Sequence, residues 1–162
     1  MQGSIARVSI KGRVPGEVGL PKAAVPVLLV SAAGAEGDYN RYRMESLAGD
    51  PEQALLLVTE DLLATHQAAG WPVAAGDLGE NVTLRGIPES VLGPGVRLES
   101  GAVRVEVTKP CVPCRELYTL PYLGPERGPA FLKAATGRRG WYARVLDGGE
   151  LRPGDPVRLA GA

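Results

Sequence analysis

The chain of 162 residues is the length of one domain and long enough to bury a sizeable core. Its 18 Lys and Arg balance its 18 Asp and Glu, so no net field draws it to nucleic acid or a lipid surface, and with a single phenylalanine it has little to stack on unpaired bases. Two cysteines are too few for a disulfide scaffold. Neither a charged-then-apolar leader at Met1–Ile10 nor an apolar run of membrane-spanning length is visible, so a cytoplasmic, reducing setting is expected. The 22 glycines and 14 prolines imply many tight connections, hence many short strands.

In chain order, residues 5–10 alternate as a strand, with Ala6, Val8 and Ile10 on one face and Arg7 and Ser9 on the other. Residues 25–30 are a near-continuous apolar run and predict a buried strand. Residues 34–52 have no clean period; so long an irregular stretch in a small domain points to a functional loop. A buried strand over 53–58 follows. Thr59 then predicts a helix N-cap, with Glu60 and Asp61 in the first turn, Leu62, Leu63 and Ala69 facing inward, and Gly70 at the end. His66, the only histidine, is expected on the surface of that helix with no role.

A glycine-punctuated loop over 75–81 leads into a strand at Val82. Strands at 96–98 and 103–108 are joined by a turn at Ser100-Gly101, and a helix is predicted over 129–135 with Pro129 near its start. Trp141 and Tyr142 begin a strand over 141–146, where Tyr142 could also reach a pocket rim. A hairpin at Asp147-Gly148-Gly149 returns through 150–152, and a last strand covers 157–159. About eight strands without regular strand–helix alternation predict a mainly β fold, a closed antiparallel β-barrel with one or two short helices, spanning residues 1–162 as a single domain.

The chemistry concentrates at Val103-Arg-Val-Glu-Val-Thr-Lys-Pro-Cys-Val-Pro-Cys-Arg-Glu-Leu117. A strand stops at Lys109-Pro110 and presents both cysteines in a loop that Pro110 and Pro113 stiffen. The Cys111-Val-Pro-Cys114 spacing admits several readings. A structural zinc site needs a second ligand pair, which the chain does not offer. A thioredoxin-like dithiol should open a helix within a βαβ unit, which is not predicted here. One functional thiolate, a soft metal ligand or a sulfur carrier, remains, beside two inert buried thiols. The flanking Lys109 and Arg115 favour the thiolate.

Three segments, Ala35-Glu-Gly-Asp38, Gly76-Asp-Leu-Gly-Glu-Asn-Val-Thr83 and Pro113-Cys-Arg-Glu-Leu117, in this order, resemble the MOSC domain, named for the C-terminal domain of molybdenum cofactor sulfurase. So does the tail from Gly137-Arg-Arg-Gly-Trp-Tyr142 to Asp155, and the resemblance covers about residues 17–160. It implies a pyruvate kinase-like β-barrel and binding of a molybdopterin-type molybdenum cofactor, or handling of its sulfur. Cys114 matches the family's cysteine, the metal ligand or persulfide carrier and hence the catalytic residue; Cys111 is extra. Asn81 matches a position that faces the pterin, whose edge calls for a donor and an acceptor.

On the residues themselves, Glu80 could orient Asn81 or Arg115, or sit in water. Asp38 could hold the long loop by accepting backbone donors. Lys109, Arg138 and Arg139 would suit a cofactor phosphate. Where many family members carry Arg-His after Gly-Asp, this chain has Tyr39-Asn40.

The resemblance implies a reductase of N-hydroxylated or related small compounds, fed by a separate electron donor because no flavin or nicotinamide motif is present. A non-catalytic carrier that passes a Cys114 persulfide to a sulfur-transfer protein is the alternative, and a Cys111/Cys114 dithiol redox protein a third. Some relatives carry a fused desulfurase domain that uses pyridoxal phosphate, which this chain lacks.

Overall fold

The structure, a computed structural model, describes residues 1–160. Eleven strands and three helices are present among them. Seven strands close a barrel: β1 (Gln2–Ile10), β11 (Pro156–Ala160), β7 (Arg97–Ser100), β8 (Val103–Pro110), β9 (Trp141–Asp147), β5 (Leu55–Thr59) and β6 (Val82–Arg85), with β6 returning to β1. The seam is the β1–β11 pairing, Gln2 opposite Arg158. A two-residue strand, β2 (Ala23–Ala24), pairs antiparallel with the end of β1.

The barrel departs from all-antiparallel at one place. β5 and β6 run parallel, Leu57 opposite Val82, because the chain leaves β5 through a helix and re-enters on the same side. That helix is α2 (Glu60–Ala68). Thr59 caps it by accepting from the Leu62 N–H at 3.4 Å, and Gly70 takes the left-handed conformation just past its end, φ +92°.

The barrel interior is filled by apolar residues that alternate inward, among them Leu55 and Leu57 of β5, Val103, Val105 and Val107 of β8, and Ala143 and Val145 of β9. In β1 the predicted phase slips. The register shifts between Ile5 and Arg7, so Ile5 and Val8 are the core residues while Ala6 is only half-buried.

The expected buried strand over 25–30 is shorter and two-sided. β3 (Leu28–Ser31) starts after Pro26, which lacks a donor, and alternates buried Leu28 and Val30 with exposed Leu29. It belongs to a small second sheet with β4 (Gly34–Ala35) and β10 (Gly149–Leu151). The hairpin predicted between β9 and β10 is therefore replaced by a pairing of β10 with β3. Gly148 permits this, since any side chain there would strike the Val30 backbone.

A second apolar cluster lies outside the barrel, where α2 packs on α3 (Gly124–Ala135) and on the 3₁₀ turn Arg115–Thr119. α3 begins five residues before its predicted start, with Pro125 in its first turn and Pro129 tolerated inside. Phe131 sits at the centre, 5.1 Å from the Trp71 ring and 5.4 Å from the His66 ring. His66 is thus buried rather than on the surface. It replaces Ala69, which is exposed, as the third inward residue of α2. This second core anchors the cysteine loop: Leu117 and Leu120 are fully buried in it, each stabilising the loop by about 1.5–3 kcal/mol.

Candidate functional site

The irregular stretch over 34–52 folds over the rim where β8 ends and β9 begins, Pro110 opposite Trp141. It contains a short helix, α1 (Arg41–Ser46), whose N-cap is the side chain of Asn40, accepting from Arg43 N–H at 2.9 Å. Arg43 is buried and donates to the carbonyls of Ala33, Gly49 and Asp50, which locks the loop from inside. Between this loop and the cysteine loop lies a groove of about 610 Å³, within the usual range for small-molecule sites.

Cys114 opens into the groove, and Lys109, Arg115 and Arg139 lie along its wall. Among the described residues, the one side chain that hydrogen-bonds to the sulfur is Arg139, whose guanidinium donates to Cys114 Sγ at 3.2 Å and to the Val112 carbonyl at 3.0 Å. Its other nitrogens donate to Leu78 O at 3.3 Å. Lys109 instead pairs with Asp50 at 3.5 Å. Arg138 is exposed and lends only its backbone, the carbonyl lying 2.7 Å from His66 Nε2. Of the two adjacent arginines, the inward one is Arg139, not Arg138.

Cys111 is 1% exposed, and its N–H donates to Gly140 O. Burial pushes its thiol up. It lies beside the Tyr142 hydroxyl, which burial and the nearby Cys111 push up in turn. The two cysteines of the motif therefore occupy unequal environments, one sealed and one open.

A second, inner chamber of about 150 Å³ adjoins the groove and shares Asn40, Gln53 and Tyr142 with it. Asn81 and Asp38 line this chamber, so the structure brings them near the groove but behind it. The Asn81 amide is committed to the protein: it accepts from Leu56 N–H at 3.1 Å and donates to Ser9 O at 3.3 Å and Asp38 Oδ2 at 2.8 Å. Asp38 accepts from Lys11 N–H at 2.9 Å, the expected loop-holding role. It also receives Lys22 Nζ at 2.6 Å and 2.7 Å. Lys22 is 4% exposed; burial lowers its pKa, and Asp38 offsets this. Sequence reading offered no signal for Lys22, because its importance comes from a partner 16 residues away.

Glu80 departs from its expected place. It is fully buried under the loop, accepts from Gly76 N–H at 2.6 Å and from Thr83 Oγ1 at 3.4 Å, and touches neither Asn81's amide nor Arg115. Its second carboxylate oxygen has no partner among the described residues, and burial pushes its pKa up to about 7.

The sequence model of the MOSC domain matches residues 44–158. The chain belongs to the MOSC domain family. Its fold agrees with that of three solved structures. YiiM from Geobacillus stearothermophilus is 25% identical, with a TM-score of 0.72 over 98% of this chain and 75% of that one. YiiM from Escherichia coli is 24% identical, TM-score 0.70, covering 100% and 71%. The YuaD protein from Bacillus subtilis is 20% identical, TM-score 0.73, covering 97% and 94%. No protein of curated function gives a significant sequence match. Among the described residues, no helix of this MOSC chain is long and apolar enough to cross a membrane.

Proposed function

We propose that this MOSC protein binds a molybdopterin-type molybdenum cofactor in the groove, with Cys114 as the protein's ligand to the metal, and reduces N-hydroxylated or related small compounds. The observation that carries the reading is the thiol of Cys114, open to a ligand-sized groove and held by a buried arginine. The donor set fits the group. No cluster of three or more metal-ligating side chains occurs among the described residues, so a metal held here must bring most of its ligands with it. A buried Gln53 Oε1 without a partner lines the same groove and offers an acceptor for a heterocycle.

When bound, the cofactor supplies two-electron redox chemistry together with the dithiolene sulfurs that complete the metal's coordination. The chain's residues do the rest. Arg139 fixes the sulfur of Cys114 and cannot drift, because Nη1 also holds the Val112 carbonyl while Nε and Nη2 both hold that of Leu78. Lys109 and Arg115 present cations along the wall, where a phosphate would meet them. Tyr42 and Val112, both exposed, give the groove an apolar lip for an uncharged substrate. Electrons come from a separate donor protein.

A second reading, transfer of a persulfide carried on Cys114, is favoured by the position of that half-buried thiol on the open groove. The dithiol reading gains no support from a Cys111 sealed at 1% exposure.

Elemental analysis of protein made in a host with ample molybdate tests the proposal. Near-stoichiometric molybdenum in the wild type, lost in Cys114→Ala, is expected. No molybdenum in either, from a host that loads other molybdoenzymes, would overturn it. A labile adduct of one sulfur atom on Cys114 would then establish the carrier.

A further inference from the structure

Of the polar side chains that line the inner chamber, most have no capacity left for a ligand. Lys22 Nζ is taken by both oxygens of Asp38 and by the Tyr39 carbonyl. Each nitrogen of the Arg43 guanidinium already donates to a backbone carbonyl. Asn81 makes three bonds within the protein.

Two groups remain. Neither end of the Gln53 amide is hydrogen-bonded among the described residues, and its Oε1 is buried. Asn40 spends its oxygen on the cap of α1, and its amide nitrogen makes no bond among the described residues. Both residues line the groove and the chamber alike, so they stand at the passage between the two. A buried polar atom without a partner costs the folded protein stability, and native structures keep few of them.

We infer that Gln53 and Asn40 form an acceptor–donor pair that reads the amino–oxo edge of a planar heterocycle lying in the passage, the edge that a pterin presents. The inference rests on the cofactor reading above and assigns the ring-recognition role to this pair instead of Asn81. The amide oxygen of Gln53 accepts from the ring's amino group; the Asn40 amide nitrogen donates to its carbonyl oxygen. Tyr142, the third shared residue, offers its ring as the wall beside them. The cations Lys109 and Arg115 line the same groove.

The test uses the metal-free full chain and pterin-6-carboxylate, followed by the quenching of the pterin's fluorescence. Quinoxaline-2-carboxylate, a flat bicycle with the same acid group and no amino–oxo edge, is the comparison ligand. Wild type is expected to prefer the pterin by about tenfold or more. Gln53→Leu keeps the side chain's bulk and removes the unpaired polar atom. It should melt no lower than wild type and yet lose the preference. Asn40→Ser keeps the helix cap but loses the amide donor, and should weaken pterin binding alone.

A wild type without preference, or a folded Gln53→Leu that retains it, overturns the inference. Cys114→Ala separates the two readings: if the metal ligand is misassigned, this variant and the wild type score alike in the molybdenum assay while the pterin preference stands in both.

Discussion

Arg139 donates to the sulfur of Cys114 at 3.2 Å, and the same guanidinium holds the carbonyls of Val112 and Leu78, so one buried side chain ties the cysteine loop to the loop before β6. Arg139→Gln should destabilise the protein by about 2–4 kcal/mol, because those carbonyls lose their donors in a buried place. Arg139→Lys keeps a charge but not the fork, and should recover less than half of the loss. Urea denaturation of the two variants measures both.

The unequal burial of the cysteines predicts unequal labelling. In the native protein, iodoacetamide should modify Cys114 and leave Cys111 untouched until the chain is unfolded. The thiol of Cys111 is enclosed, and burial pushes it further toward the unreactive form. Peptide mass spectrometry reads the site directly. Equal labelling of both in the folded state would contradict the sealed position of Cys111.

Glu80 makes stability depend on pH. Its carboxyl is raised from an ordinary 4.5 to about 7 by burial, so the folded state binds this proton more tightly than the unfolded chain does. Its contribution is fully present below about pH 4.5 and is lost as pH rises to about 7, by at most roughly 3 kcal/mol. Glu80→Gln carries no such charge. Its melting temperature should exceed that of the wild type at pH 8, and the gap should close at pH 4.5. A gap that stays constant across this range would show that Glu80 does not titrate as described.

In the Lys22–Asp38 pair Lys22 is buried and Asp38 partly so, and removing Asp38 strands the lysine's charge. Asp38→Ala should cost about 3–5 kcal/mol and loosen the loop over 34–52. A double variant, Lys22→Met with Asp38→Leu, removes both charges and should recover part of the stability. Thermal melts of the single and double variants check the sign of this coupling.

Much of the barrel can be read from local pattern. Val103, Val105 and Val107 alternate, Thr59 and Gly70 bracket a helix, and the chain has too many turns for an α/β fold. The parallel pair β5–β6 is not local information, nor is the pairing of β10 with β3 in place of β9; both depend on where a distant strand lies. Two adjacent arginines look alike in sequence. Arg139 faces inward because Gly140, with φ +96°, brings the backbone against Leu57 where a side chain would not fit. Gln53 reads as the start of a strand, and only the cavity reveals that its amide has nothing to bind. Glu80 sits beside Asn81 in the motif, but consecutive residues at the start of a strand point to opposite sides, and Glu80 points away from the groove.

The seam between β1 and β11 joins the first strand of the barrel to be synthesised to the last. Until residues 156–160 have emerged, the sheet is an open ribbon with two bare edges, and no barrel exists to support the rim. Arg139 is synthesised 25 residues after Cys114, so the thiol waits through that interval without its partner. During synthesis, then, Cys114 is an ordinary exposed sulfhydryl on a nascent chain, open to any oxidant that the finished fold would meet with an arginine already in place.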